Sequence, residues 1–490
     1  MLFNSIDFLF FFPIVVGILF ILPRKLRCTW LLIASYYFYM SWNPKYALLI
    51  AFSTLVTYLS GIALERCRTN GHKKIVVAVS LVSNLLILFV FKYANFTLHT
   101  IMVLLGELGI QVADRQLDLL LPVGISFYTF QALSYTLDVY RGDIKAEKNI
   151  VRYALFVSFF PQLVAGPIER SGNLLKQIQS VNKINLWNYK NIRNGLLLMF
   201  WGLFQKLVIA DRASILVKQV YGNYADYGLV EIVIATVLFA FQIYCDFDGY
   251  TNVARGAARV MGISLMKNFR QPYLAWNIKE FWRRWHISLT SWFTDYLYIP
   301  LGGNRKGQLR KNINILIVFI VSGLWHGASW NFVAWGLLHG IYQVLGNIWN
   351  EIKRKPGWSN RRGEGVPFWL RLWKMVFTFC IVDFAWLFFA SDSFGQALEL
   401  ICQMGRSIRT TSGICELGLN QGNWITLGAA LLILLTVDIL HENGKSVFAL
   451  VGKRNIVIRW VLYLGLIWVI IMLGIYGIEY DVSQFIYFQF

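Results

Sequence analysis

Runs of about 18 or more apolar residues are long enough to cross the hydrocarbon core of a bilayer. In this chain they recur near residues 6–23, 46–64, 75–92, 228–245, 369–390, 424–440 and 460–478. A water-soluble fold has no place for seven such runs. The composition agrees, with 57% hydrophobic and 16% aromatic residues among 490, well above the usage of ordinary globular domains. This is a membrane protein. Shorter or polar-interrupted segments lie near 29–40, 118–137, 150–165, 193–210, 312–331 and 332–350. Backbone at membrane depth has no water to bond, so such interruptions are tolerated only where protein or a water-filled cavity covers them. The expected fold class is all-α and polytopic, with roughly ten to thirteen crossings, some bent or re-entrant.

The net charge of +20 could belong to a nucleic-acid binder, but the basic residues do not form a groove. They punctuate the apolar runs, as "RKLR" (24–27), "RCRTNGHKK" (66–74), "NRKGQLRK" (304–311), "KRKPGWSNRR" (353–362) and "GKRNIVIR" (452–459). The positive-inside rule makes those loops cytoplasmic. It then places both termini and the "SWNPK" loop (41–45) outside. Anionic headgroups account for the charge, and no nucleic acid is called for. The first apolar run lacks the basic flank and small-residue cleavage site of a signal peptide, so it is expected to be a membrane helix. Six cysteines, at 28, 67, 245, 380, 402 and 415, show no paired spacing, which argues against a metal site or disulfide framework. With no internal repeat and no long hydrophilic run, 1–490 is expected to form a single membrane domain with basic hinges near 304–311 and 351–367.

Ionisable residues inside apolar segments are functional-site hypotheses by default. His326, in "SGLWHGASWNF" (322–332), is the clearest. Helical spacing gives it Ser322, Gly323, Ser329 and Trp330 as same-face neighbours. Gly323 and Gly327 form a GxxxG, and so do Gly336 and Gly340, so close helix contact is the competing account of this region. A second histidine, His286, ends the aromatic and basic stretch "EFWRRWH". There Trp282, Trp285 and Trp292, beside Arg283 and Arg284, fit a helix lying at the cytoplasmic interface. An interfacial anchor explains the tryptophans but leaves His286 without a reason, and the two histidines read as parts of one site. Asp246 and Asp248, in "QIYCDFDGY", are expected to end an apolar helix. Their DxDG lacks a glutamate at the twelfth place of a calcium loop, so a carboxylate that orients a histidine or pairs with an arginine is the better reading.

Five stretches carry a resemblance: "LPVGISFYTFQALSYTLDVYRG" (121–142), "FFPQLVAGPIER" (159–170), "QIYCDFDGY" (242–250), "EFWRRWHISLTSWFTDYLYIPLGG" (280–303) and "GLWHGASWNFVAWGLLHG" (323–340). In this order they resemble the membrane-bound O-acyltransferase (MBOAT) family, in its bacterial branch like the alginate O-acetyltransferase membrane subunit. The resemblance implies membrane helices, with interfacial or re-entrant helices, around a central pore. It makes 121–340 the signature-bearing core, His326 the essential catalytic histidine and His286 the second signature residue. Departures are Asp248, where the branch often has DFSGY, and Thr294, where it often has arginine before DYLY. They bear on substrate detail more than on reaction class.

Such an enzyme has no bound cofactor. Its donor is an acyl thioester, acetyl-CoA by resemblance, expected to arrive at the basic face near Arg283, Arg284 and Arg305, with Trp325 and Asp246 supporting the site. A histidine of pKa near about 6.5 is suited to take the acceptor's hydroxyl proton. His286 is left with two roles, orienting the thioester or stabilising the oxyanion. Because the donor is inside and the branch modifies polysaccharide outside, an extracytoplasmic SGNH-type transferase is the expected partner and the cell membrane the expected location. In the tail, 481–490, "FIYFQF" offers Tyr487 as an acyl relay, since a phenol of pKa about 10 makes an activated ester. An aromatic interfacial anchor is the alternative. Competing functions are D-alanyl transfer to teichoic acid from a carrier protein and, from a different class, a transporter or flippase. His339 is expected to be structural.

Overall fold

A computed structural model describes residues 1–110, 117–164, 166–352, 367–406 and 417–476. Among these the regular structure is helical, without strands. The principal helices are α1 Ile6–Ile21, α2 Arg27–Met40, α3 Tyr46–Arg66, α4 Asn70–Leu88, α5 Ala94–Glu107, α6 Ile125–Arg141 and α7 Ile150–Ser158. They continue with α8 Tyr189–Leu203, α9 Asp211–Gly222, α10 Leu229–Val260, α11 Ile278–Arg284, α12 Ile287–Phe293, α13 Gly307–His326 and α14 Trp330–Ile352. The last are α15 Phe368–Ala390, α16 Phe394–Arg406, α17 Gln421–Glu442 and α18 Ile456–Leu473.

Seven helical segments are long and apolar enough to cross a membrane: Tyr46–Arg66, Asn70–Glu107, Tyr189–Gly222, Leu229–Val260, Phe368–Ala390, Gln421–Glu442 and Ile456–Leu473. Six overlap the strong apolar runs of the sequence. The first run forms the shorter α1, whose N-terminus is capped by Ser5 Oγ accepting from the Phe8 amide. The weaker segment at 193–210 lies in Tyr189–Gly222, which is interrupted by a π-helical turn, Phe204–Ala210. With these apolar helices, the chain is a multi-pass membrane protein.

Contacts group the chain into two compact units, Met1–Met199 with Tyr250–Met266, and Phe200–Gly249 with the described residues from Lys267 onward. In the first unit, hydroxyl and amide side chains join neighbouring helices. Ser53 Oγ donates to Asn84 Oδ1 at 2.5 Å, and Tyr153 OH donates to Thr57 Oγ1 at 2.7 Å. Gly61 lets Tyr135 cross α3, since a Cβ there would lie 2.5 Å from the phenol oxygen. In "GPIER", the fully buried Glu169 accepts from the Asn173 amide at 2.7 Å.

The second unit is built around large rings, with Trp285, Trp335 and Trp386 almost wholly buried. Its hairpin of α13 and α14 depends on glycine. A Cβ on Gly323 would lie 2.2 Å from the Phe332 carbonyl oxygen, and one on Gly336 2.3 Å from that of Phe319. The close helix contact expected of the small residues is therefore present, and it brings the end of α13 into the ring cluster.

Candidate active site

His326 is the last residue of α13. Gly327 leaves the helix in an extended conformation (φ −156°, ψ 147°), and α14 starts only at Trp330. This corrects the continuous helix expected through the histidine: Ser322 and Gly323 precede it on α13, while Ser329 and Trp330 belong to the turn and the next helix. The break puts the imidazole at a helix end, 3% exposed, inside a cage of rings. Centroids of Trp325 and Trp335 each lie 5.0 Å away, nearly perpendicular, and that of Phe389 lies at 5.4 Å. Such edge-to-face contacts suit aromatic quadrupoles.

The His286 ring stands 6.2 Å from that of His326, centroid to centroid. It also touches Trp325 at 5.9 Å and Phe247 at 4.7 Å. His286 separates α11 from α12 in a left-handed conformation, φ 42°, ψ 54°. For a non-glycine residue this costs on the order of 1–3 kcal/mol and persists only where the surroundings enforce it. Here Asn268 does part of the enforcing, its carbonyl accepting from the Ile287 amide at 2.8 Å, while the Arg270 amide donates to the Arg284 carbonyl at 2.9 Å. Burial holds the His286 pKa below the ordinary histidine range, which keeps the ring neutral.

The tryptophans of this stretch do not form an interfacial stripe. Trp282, Trp285 and Trp292 are all buried, because the break at His286 turns α11 and α12 into two short helices whose aromatic sides face the core. Trp325 is in ring contact with both histidines, the three rings forming a triangle. Arg284 is clasped by Glu442, at 2.7 Å, and by Glu280 at 2.5 Å, whereas Arg283 and Arg305 are exposed. Tyr487 lies outside the described residues.

Asp246 and Asp248 differ from expectation in their place on the helix. They sit inside α10, which continues to Val260 rather than ending at them. Asp246 forms an ion pair with a lysine the sequence reading did not single out, Lys206 Nζ at 2.7 Å, while Asp248 accepts from Gln205 Nε2 at 2.9 Å. What faces His286 from this segment is Phe247. Sequence reasoning passed over Lys206, although a lysine within "LFQKLVIA" is itself an intramembrane charge. It also passed over Asn268, which carries no motif. His339 is fully buried, accepting through Nδ1 from Trp282 Nε1 at 3.3 Å. Its ring lies 5.1 Å from Trp335, so it is one ring removed from His326.

Among the described residues no group of three or more histidine, cysteine or carboxylate side chains is arranged to hold a metal ion. Two buried imidazoles in an aromatic cage offer proton acceptance and donation at fixed positions, which is what acyl transfer to a hydroxyl requires.

The model of the MBOAT, membrane-bound O-acyltransferase family, matches residues 144–384. The chain is 34% identical over 396 residues to a peptidoglycan O-acetyltransferase of Helicobacter pylori, covering 76% of this chain and 72% of that one. It is 35% identical over 403 residues, 82% and 74% of the two chains, to a Pseudomonas aeruginosa protein named "Probable alginate O-acetylase". A teichoic acid D-alanyltransferase of Bacillus subtilis is 26% identical over 356 residues, 69% and 83% of the two chains.

Proposed function

This chain belongs to the membrane-bound O-acyltransferase family and is an O-acyltransferase; on that premise we propose that it passes an acetyl group from a cytoplasmic thioester to an extracytoplasmic polysaccharide. The observation that carries the reading is the pair His326 and His286, 6.2 Å apart in one aromatic cage. In the proposed step, a neutral His326 takes the proton of the attacking hydroxyl, the new C–O bond forms at the acyl carbon, and the C–S bond breaks. The proton then passes from His326 to the leaving thiolate, so the donor leaves as a thiol. His286, whose ring also meets Trp325, orients the thioester or donates to the developing oxyanion. The exposed Arg283 and Arg305 suit a polyanionic donor such as acetyl-CoA. Arg284, already clasped by two carboxylates, serves better to hold α11 in place.

The sidedness needs a carrier, and Tyr487 is the proposed one: its hydroxyl is acylated from a pore leading to His326, and an SGNH-type transferase outside takes the group onward. Acetyl rather than D-alanyl transfer is preferred because the two acetylase relatives share more identity with this chain than the D-alanyltransferase does, 34% and 35% against 26%. The test is peptide mass analysis of the purified protein after incubation with labelled acetyl-CoA. Label at the C-terminal peptide, lost in His326→Ala and in Tyr487→Phe, supports both donor and relay. Acetylation of an added acceptor that survives Tyr487→Phe removes the relay. Label from a D-alanylated carrier protein and none from acetyl-CoA overturns the acetyl reading.

A further inference from the structure

Lys206 belongs to no part of the mechanism above, yet it is 4% exposed inside an apolar segment. Its ammonium lies 2.7 Å from Asp246 and 2.8 Å from Asp211. A buried charge at membrane depth is retained only where it is paired and has a task. Lys206 also sits in the π-helical turn Phe204–Ala210, an irregularity that recurs at functional sites because it re-aims side chains. The same turn supplies Gln205, which holds Asp248. Backbone contact reinforces the two clasps: a Cβ on Gly249 would lie 2.7 Å from the Gly202 carbonyl oxygen and 3.3 Å from the Lys206 amide nitrogen. One turn of α10 is thereby fixed in rotation and height against the π turn.

The residue between the two clasped aspartates is Phe247. It is fully buried, with its ring 4.7 Å from His286 and 5.1 Å from Phe269. Phe269 packs in turn on Trp285 at 4.9 Å. His286 is held in a left-handed conformation that its own preferences disfavour, so its ring depends on what backs it. We propose that Lys206 is a positioning residue for acyl transfer: by clasping Asp246 it sets α10 so that Phe247 fixes the ring of His286 beside His326.

The inference rests on His286 being part of the transfer site, and a readout independent of turnover separates the two ideas. Purified full-length protein in detergent is treated with diethylpyrocarbonate, and modification of His286 and His339 is located by peptide mass analysis while acetyl transfer is measured in parallel. In Lys206→Met, His286 should become more reactive while His339 does not. kcat should fall by about tenfold or more, as for other small displacements of a catalytic group, with KM for the donor unchanged. Lys206→Arg should recover most of both. Should Lys206→Met fail to fold, Phe247→Ala carries the test with the charges intact, and it should show the same selective reactivity and kcat loss. Wild-type His286 reactivity in folded Lys206→Met or Phe247→Ala overturns the proposal, and so does an equal rise at His339. Full activity in His286→Ala overturns instead the placing of His286 in the transfer site.

Discussion

Two regions bury polar side chains to the same depth in different surroundings. In the first unit, Ser53, Thr57, Ser80, Asn84, Thr136 and Tyr153 bond to one another across α3, α4, α6 and α7. In the second, His286, His326 and His339 are packed among rings, with centroids 4.7 to 6.3 Å apart. The hydroxyl network is what membrane helices use to adhere, at a modest gain per bond. An imidazole among rings contributes little adhesion that a phenylalanine would not, and what it adds is a titratable nitrogen. Hydroxyl pairing between helices fits the first region to structure, whereas the two imidazoles brought within 6.2 Å of each other are what make the second the proposed site of chemistry.

The largest break in that contrast should come from His326→Ala. Removing a general base costs about 10²–10⁴ in rate, so transfer should fall into that range. The protein should still elute as a folded particle, because the cage walls, Trp325, Trp335 and Phe389, remain. Rates measured on size-selected protein check this. A folded His326→Ala with near-native transfer would move the chemistry elsewhere.

His286 sharpens the comparison because its backbone and its ring make separate demands. Glycine adopts the left-handed region at no steric cost, whereas alanine retains the strain. His286→Gly should therefore be the more stable of the two truncations by about 1 kcal/mol, seen as a higher melting temperature in detergent. Both should lose transfer alike, since neither has a ring. Equal melting temperatures would show that the surroundings of α11 and α12 do not enforce the φ of 42°.

How far the site could be read from sequence follows from which signals are local. His326 and His286 were visible because ionisable residues in apolar runs are rare, and the flanking motifs resembled a family. The break after His326 was not visible: Gly327, Ala328 and Ser329 are as acceptable on the small face of a helix as in a turn. The tryptophans of α11 and α12 were placed at an interface because periodicity shows which residues share a face, not whether lipid or protein meets it. The lysine partner of Asp246 was not legible because Lys206 lies forty positions earlier, and only the fold brings a π turn against α10. The left-handed turn at His286 has no glycine or asparagine to announce it. Local chemistry was legible, whereas the tertiary partners that position it were not.

The smallest effect, and the control for the whole contrast, belongs to Thr57→Val. Thr57 Oγ1 donates to the Ser53 carbonyl at 2.7 Å and accepts from Tyr153 OH at 2.7 Å. Valine keeps the volume and removes both bonds, leaving the Tyr153 hydroxyl to find another acceptor. Interhelical bonds of this kind are worth about 0.6 kcal/mol and at most about 1.7, so the melting temperature should fall by a few degrees while kcat and KM stay at wild-type values. The size of the drop matters less than its separation from activity. If folded Thr57→Val lost transfer, the hydroxyl network would belong to the reaction, and the two regions would no longer divide structure from chemistry.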